Sequence, residues 1–251
     1  MMTDSITHYI SSARHQWVAG HVAIRFGQVL FVLWVGVTLA AALLFGWLIG
    51  PIALTCCVFA VVACLSLRGV KSDYPHGRLG LCNVVTALRA AMITLLSGAI
   101  LWPDGLENAR AILVALAVIA FAMDGLDGWL ARTNGTASEF GARFDMEVDA
   151  LFGAVLALLL LSNGVVGLEV LLLGFMRYGF VAAGFVWPWL NGSLPESYRR
   201  KAVCVLQIAV LISLMLPLGS EIFMRGLAVM GAATLAWSFA VDTIWLARRR
   251  S

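Results

Sequence analysis

The chain has 251 residues, of which 61% are hydrophobic and 12% charged, and its net charge is +3. Soluble domains average about 25% charged residues, so this composition excludes an ordinary soluble domain and points to an integral membrane protein. The small positive charge, with no basic run interleaved by aromatics, gives no reason to expect a nucleic-acid partner.

Apolar runs of about 18 residues or more recur along the chain, which argues for spanning helices rather than barrel strands. The five cysteines, Cys56, Cys57, Cys64, Cys82 and Cys204, lie almost all inside these runs and have neither zinc nor disulfide spacing. They read as small apolar filling. The histidines (His8, His15, His21, His76) lie outside the runs and read as interfacial.

Taken in order, residues 1–25 are mixed, with Ile6, Tyr9, Ile10, Ala13, Trp17 and Val18 at roughly helical spacing. They predict an amphipathic helix lying on the membrane, without a signal-peptide layout. Residues 26–67 carry no charge and are broken at Gly50-Pro51. Two spans in a hairpin are expected, over 27–48 and 52–67. Residues 68–82 form a polar cytoplasmic linker. Further spans are expected over 83–102, 110–132, 137–162, 168–190, 202–219 and 226–246, followed by a basic tail at 248–251. Thr136-x-x-Glu139 has capping-box form and would start the fifth helix near Ala137.

Eight spans put both termini on one side of the membrane. That side collects thirteen Lys and Arg, against two (Arg110 and Arg225) on the other. The bias places both termini, and the turn between the fourth and fifth spans, in the cytoplasm.

That turn joins the most informative stretch. Six of the fourteen carboxylates fall between Asp124 and Asp149: Asp124, Asp127, Glu139, Asp145, Glu147 and Asp149. Carboxylates at membrane depth are costly and mark function by default. Asp124 and Asp127 are i, i+3 on one helix, and Asp145 and Asp149 are i, i+4 on the next, so each pair shares a helical face. Across an antiparallel turn near Asn134-Gly135, Asp124 and Asp145 should sit level, roughly 15 Å below the turn at ~1.5 Å per residue. Four converging carboxylates repel one another, and hard divalent cations such as Mg²⁺, Mn²⁺ or Ca²⁺ relieve that. Two metals would suit displacement at phosphorus. Gly128, Ala131 and Gly141 leave room for a bulky ligand, and Arg132 could meet phosphate oxygens. Glu147 points off the aspartate face, either to pair with a base or to line an acceptor. The alternative reading of the cluster is polar glue between helices.

The pattern Asp124-Gly-Leu-Asp127-Gly128-Trp-Leu-Ala131-Arg132, eight residues, Gly141-Ala-Arg-Phe-Asp145-Met-Glu-Val-Asp149 resembles the signature of the CDP-alcohol phosphotransferases (CDP-alcohol phosphatidyltransferases). Asn83, Thr86 and Arg89 resemble the start of that family's first core helix, with Cys82 in place of its usual Pro. The resemblance covers a six-span catalytic core over 83–247 and makes the first two spans an added hairpin. It implies a homodimer with two divalent metals, which moves a phosphorus-bearing group from a CDP-linked donor to an alcohol and releases CMP. Carried over by position, Asp124, Asp127, Asp145 and Asp149 hold the metals, and Asp149 is the general base. Asp127, Gly128, Ala131, Arg132, Gly141, Asn83 and Thr86 form the cytidine-diphosphate pocket.

Other charges leave alternatives open. Arg89 is a structural counter-ion or a substrate contact. Arg177, beside Tyr178, pairs with Glu147 or Asp242, or binds the acceptor. Arg199, Arg200 and Lys201 follow from orientation alone, or form with Arg143 a basic rim for an anionic acceptor. Asp242 is expected to reach towards Arg248–Arg250. The expected activity is phospholipid synthesis in the inner membrane from CDP-diacylglycerol and a small polar alcohol. Rivals are transfer from a soluble CDP-alcohol to a lipid acceptor, and a cation- or proton-coupled transporter.

Overall fold

A computed structural model describes the backbone of residues 2–102, 105–133, 135–164, 166–195, 197–217 and 219–249, with their side chains apart from 2–19, 73, 106, 127, 129, 131 and 132. The described chain is all-helical: α1 (Met2–Phe45), α2 (Ile49–Asp73), α3 (Leu81–Gly98), α4 (Leu106–Thr133), α5 (Glu139–Ser162), α6 (Glu169–Val186), α7 (Tyr198–Leu214) and α8 (Glu221–Arg248). Single 3₁₀ turns lie at Ala99–Leu101 and Pro188–Asn191.

This is the expected eight-helix membrane architecture. Six of the helices, α1 to α4, α6 and α8, are long and apolar enough to cross a bilayer. The other two fall short for visible reasons: α5 carries Asp145, Glu147 and Asp149 early in its length, and α7 has only 17 residues. Large apolar side chains face outward, among them Phe31, Leu43, Phe185 and Ile222. In water such a surface would be an association hazard, whereas lipid accepts it. α3 is the exception. Its span is 67% buried, against 22–33% in the other five, and it buries Asn83, Thr86, Arg89, Thr94 and Ser97.

The first hairpin turns earlier than expected. The break falls at Gly46 and Trp47, both at positive φ (62° and 66°), and not at Gly50-Pro51. Gly46 takes the left-handed conformation that ends a helix, while Pro51 sits in the first turn of α2, where its missing N–H costs nothing. α2 then runs on to Asp73, so the non-helical linker shrinks to residues 74–80. Pro75 is the first residue that forbids further helix. α1 is continuous from Met2 into the first span. The side chains on which the interfacial reading of 1–25 depends lie outside the described residues.

Packing divides the chain into two units, residues 1–95 with 122–148, and residues 96–121 with 149–251. The cuts fall inside α3, α4 and α5, whose backbones continue through them. In the first unit Phe26 of α1 is fully buried and meets Phe140 and Phe144 of α5 edge-on, at 6.2 and 6.1 Å between ring centroids. Tyr74 meets Phe140 at 6.0 Å. The N-terminal hairpin therefore buttresses the first turns of α5, which carry the carboxylates.

Candidate active site

α5 begins at a serine cap. The Gly141 N–H donates to Ser138 Oγ at 3.0 Å, and the Ala142 N–H donates to the Ser138 carbonyl at 3.0 Å. Ser138 thus fills the N-cap role, and the expected capping box from Thr136 to Glu139 does not form. Glu139 is the first helical residue, and its carboxylate accepts from Arg143 at 3.3 Å, with both side chains exposed. Thr136 is occupied elsewhere, its hydroxyl 3.6 Å from Cys82 Sγ. Thr136 was the expected cap; its contact with the start of α3 leaves the role to Ser138.

From this start α5 presents Asp145 opposite Asp124 of α4. Arg89 of α3, 1% exposed, lies between them. Its Nη2 is 2.9 Å from Asp124 Oδ1 and its Nη1 is 2.6 Å from Asp145 Oδ1. The two carboxylates keep about a third of their surface, 34% and 35%. Asp149 follows one turn along α5. Asp124, Asp145 and Asp149 can each present a carboxylate oxygen within 4.8 Å of the others. That spacing is of the order of two metal–oxygen bonds end to end, and an oxygen-only donor set suits Mg²⁺, Mn²⁺ or Ca²⁺ rather than zinc. These three residues could hold a divalent metal.

Beside the carboxylates the structure leaves a small cradle. Asn83 is 1% exposed; its Nδ2 has no acceptor at full hydrogen-bonding geometry, and its side chain lies close enough to the Tyr74 hydroxyl to interact with it. A Cβ added to Gly141 would stand 3.0 Å from Asn83 Oδ1 and 3.2 Å from Ser138 Oγ. A buried amide whose donors are incompletely satisfied costs up to about 1–3 kcal/mol, so the cradle can take a polar ligand. Thr86 is buried on the same helix, and its hydroxyl donates to the Cys82 carbonyl at 3.0 Å.

Asp127, Ala131 and Arg132 lie on the last turns of α4, but their side chains fall outside the described residues. Gly128 is half-buried and Glu147 is exposed. In the second unit Arg177 is half-buried on α6, beside an exposed Tyr178. Arg199 opens α7 and is anchored to α8. Its Nη1 donates to the Ser238 carbonyl at 2.7 Å and to Ser238 Oγ at 2.5 Å, and its Nη2 donates to Asp242 Oδ1. Arg200 reaches the same oxygen at 3.5 Å, while Lys201 is exposed. Among the described residues, Asp242 therefore pairs with Arg199 and Arg200, and not with Arg248, Arg249 or Arg177; Arg250 lies outside the described residues. A buried carboxylate takes the cations that approach it from a neighbouring helix, and proximity in sequence gave a false lead. Ser138 and Ser238 were missed. Ser138 was visible as a cap two residues beyond Thr136, whereas nothing in the sequence singled out Ser238.

The chain is similar to "Probable phosphatidylglycerophosphate synthase" of Mycobacterium tuberculosis, strains CDC 1551 / Oshkosh and ATCC 25618 / H37Rv. For each, identity is 30% over 170 residues, covering 62% of this chain and 75% of the relative. No solved structure matches this chain significantly. The sequence profile of the CDP-alcohol phosphatidyltransferase family matches residues 79–243, which take in Arg89, Asp124, Asp145 and Asp149. The chain is a transferase of phospholipid synthesis and belongs to the CDP-alcohol phosphatidyltransferase family.

Proposed function

We propose that this enzyme moves a phosphatidyl group from CDP-diacylglycerol to the hydroxyl of a small polar alcohol and releases CMP. The observation that carries the proposal is the convergence of Asp124, Asp145 and Asp149 beside the cradle of Asn83 and Gly141. In this reading Asp124, Asp127, Asp145 and Asp149 hold two divalent cations, Mg²⁺ or Mn²⁺. Bound there, the cations would neutralise charge on the diphosphate. Asn83, Thr86, Gly128, Ala131, Arg132 and Gly141 receive the cytidine diphosphate. Asp149 takes the proton of the acceptor hydroxyl, whose oxygen bonds to the phosphorus bearing diacylglycerol. The bond from that phosphorus to the CMP oxygen breaks, and CMP leaves. An alcohol is a weak nucleophile near neutral pH, so a carboxylate within hydrogen-bond reach is what the step needs.

The curated relatives are named for phosphatidylglycerophosphate, which makes a glycerophosphate the first acceptor to assay. Arg143, Arg177, Tyr178, Arg199, Arg200 and Lys201, with Glu147 at the edge, are the side chains to test for it. Lys and Arg asymmetry supports an inner-membrane protein with both termini and the site facing the cytoplasm, where water-soluble CMP can leave. The resemblance supports a homodimer.

The test is CMP release from CDP-diacylglycerol by purified protein in Mg²⁺ or Mn²⁺, with candidate alcohols supplied in turn. Acceptor-dependent CMP with the matching phospholipid is the expected result. No turnover of any CDP-alcohol by folded protein overturns the proposal. CMP only from a soluble CDP-alcohol, with a lipid acceptor, transfers the assignment to the alternative donor.

A further inference from the structure

Arg89 occupies a position that transfer chemistry alone does not require. It is 1% exposed, and one guanidinium reaches both Asp124 of α4 and Asp145 of α5, at 2.9 and 2.6 Å. A planar fork of fixed charge holds two carboxylates at set positions, which a flexible ammonium does less well. The two aspartates belong to the same cluster that could hold a metal. A cation from the chain and a cation from solution therefore answer the same negative charge.

We infer that Arg89 is a built-in counter-ion, partly redundant with the divalent cation, which keeps the Asp124–Asp145 pair assembled when no metal is bound. The inference rests on the reading of these aspartates as metal ligands. Without the guanidinium, the two half-buried carboxylates would lose the positive charge they share, and their repulsion would push the hairpin of α4 and α5 apart. With it, the protein folds into the membrane before metal arrives and does not depend on metal to stay folded. Redundancy has a sign. Two cations close together repel, so each stabilises the pair less when the other is present. Arg89 should thus weaken metal binding, while lending the metal-free protein stability that it would otherwise lack.

This opposes the reading in which Arg89 merely preforms the metal site, and the two predict opposite results. The experiment uses full-length protein in detergent micelles. Thermal unfolding is followed by tryptophan fluorescence with chelator and with Mn²⁺, and free Mn²⁺ is titrated by electron paramagnetic resonance. For R89M the expected results are a lower Tm than wild type in chelator, a larger rise in Tm on adding Mn²⁺, and Mn²⁺ bound several-fold more tightly. Ligand linkage ties the last two together. R89K keeps the charge and should stay near wild type in its Mn²⁺ dependence.

A Tm for R89M in chelator equal to wild type, Mn²⁺ binding equal to or weaker than wild type, or R89K matching R89M would each overturn the inference. D145N separates this failure from failure of the metal reading. If wild type binds Mn²⁺, D145N loses it and R89M gains nothing, only the role of Arg89 is wrong. If Mn²⁺ shifts neither wild type nor R89M, the metal reading fails and takes the inference with it. Should R89M be unrecoverable in either condition, the R89M/D124N double variant decides. Recovery of folded double variant in chelator supports charge imbalance as the defect, and no recovery overturns it.

Discussion

The side-chain oxygen of Asn83 lies 3.0 Å from the point where a Cβ on Gly141 would stand. The contact is tighter than a side chain tolerates without moving, and Asn83, 1% exposed, has little space in which to move. Gly141→Ala therefore sets two effects against each other. Replacing a helical glycine favours the helix by about 0.5–1 kcal/mol, while the new methyl displaces the buried Asn83 side chain that the donor reading uses. Thermal stability should stay within about 1 kcal/mol of wild type, and KM for the CDP-linked donor should rise at least several-fold. Measuring Tm and donor KM on the same preparation checks both halves. A normal KM would show that this cradle is not part of the donor pocket.

Asp149→Asn tests the base. Losing a positioned general base costs about 10²–10⁴ in rate, so CMP release should fall into that range in protein that still folds. Asp149 also stands within the carboxylate cluster, so weaker metal binding could slow the enzyme too. Saturating Mn²⁺ separates the causes. A rate that stays low at saturation supports the base, and a restored rate makes Asp149 chiefly a metal ligand.

How far the sequence could be read depended on whether the deciding contact was local. Asp145 and Asp149 were placed on one face by helical period alone, and the level placement of Asp124 and Asp145 followed from a short antiparallel turn. Arg89 was recognisable as a cation needing partners, because a guanidinium at membrane depth is not left uncompensated. The errors came where one local signal stood near another that the structure prefers. Gly50-Pro51 read as the break, and the structure breaks instead at Gly46, whose φ is positive. Thr136 read as the cap, but it contacts Cys82, and Ser138 caps α5 instead. The pairing of Asp242 with Arg199 spans 43 residues, which no local period encodes. The buttress of Phe26 on Phe140 and Phe144 was hidden for the same reason, since an apolar residue at the head of a span looks like any other.

Phe26→Ala should destabilise the first unit. Phe26 is fully buried between the edges of Phe140 and Phe144, and cavities of this size cost about 3–5 kcal/mol. The loss falls at the first turns of α5, so activity should drop with stability rather than survive it. Tm and CMP release measured over a temperature range check the coupling. Full activity below a lowered Tm would mean that the hairpin stabilises the fold without positioning the carboxylates.

Asp242→Asn should loosen the start of α7. Its carboxylate receives Arg199 and Arg200 and is only 12% exposed at the side chain. Breaking a fully buried pair costs about 3–5 kcal/mol, and this partly solvated cluster should lose less. The expected signature is a lowered Tm with faster hydrogen exchange confined to residues 198–202. Unchanged exchange there would mean that Ser238, which Arg199 also contacts, holds the turn by itself.

Tyr74 gives the linker between α2 and α3 its own pH dependence. Its hydroxyl donates to the Arg78 carbonyl at 2.9 Å and accepts from the Gly80 N–H at 2.8 Å, closing residues 74–80 into a loop beneath the start of α3. Burial pushes the phenol above its ordinary 10.0, against the opposing pulls of the Gly80 N–H and, more weakly, the Asn83 side chain. A group whose folded pKa is raised holds protons more tightly when folded, so its stabilisation is complete below the unfolded value and is lost as pH rises through the folded one. Wild type should thus keep its Tm up to about pH 9 and lose stability above about pH 10. Tyr74→Phe removes the titrating group and leaves the buried Gly80 N–H without its acceptor, a loss of about 1–3 kcal/mol. The variant should have a lower Tm at pH 8 and a shallower decline between pH 9 and 11. Parallel melting curves across that range decide it, and identical alkaline slopes in the two proteins would mean that other groups, and not Tyr74, set the alkaline limit.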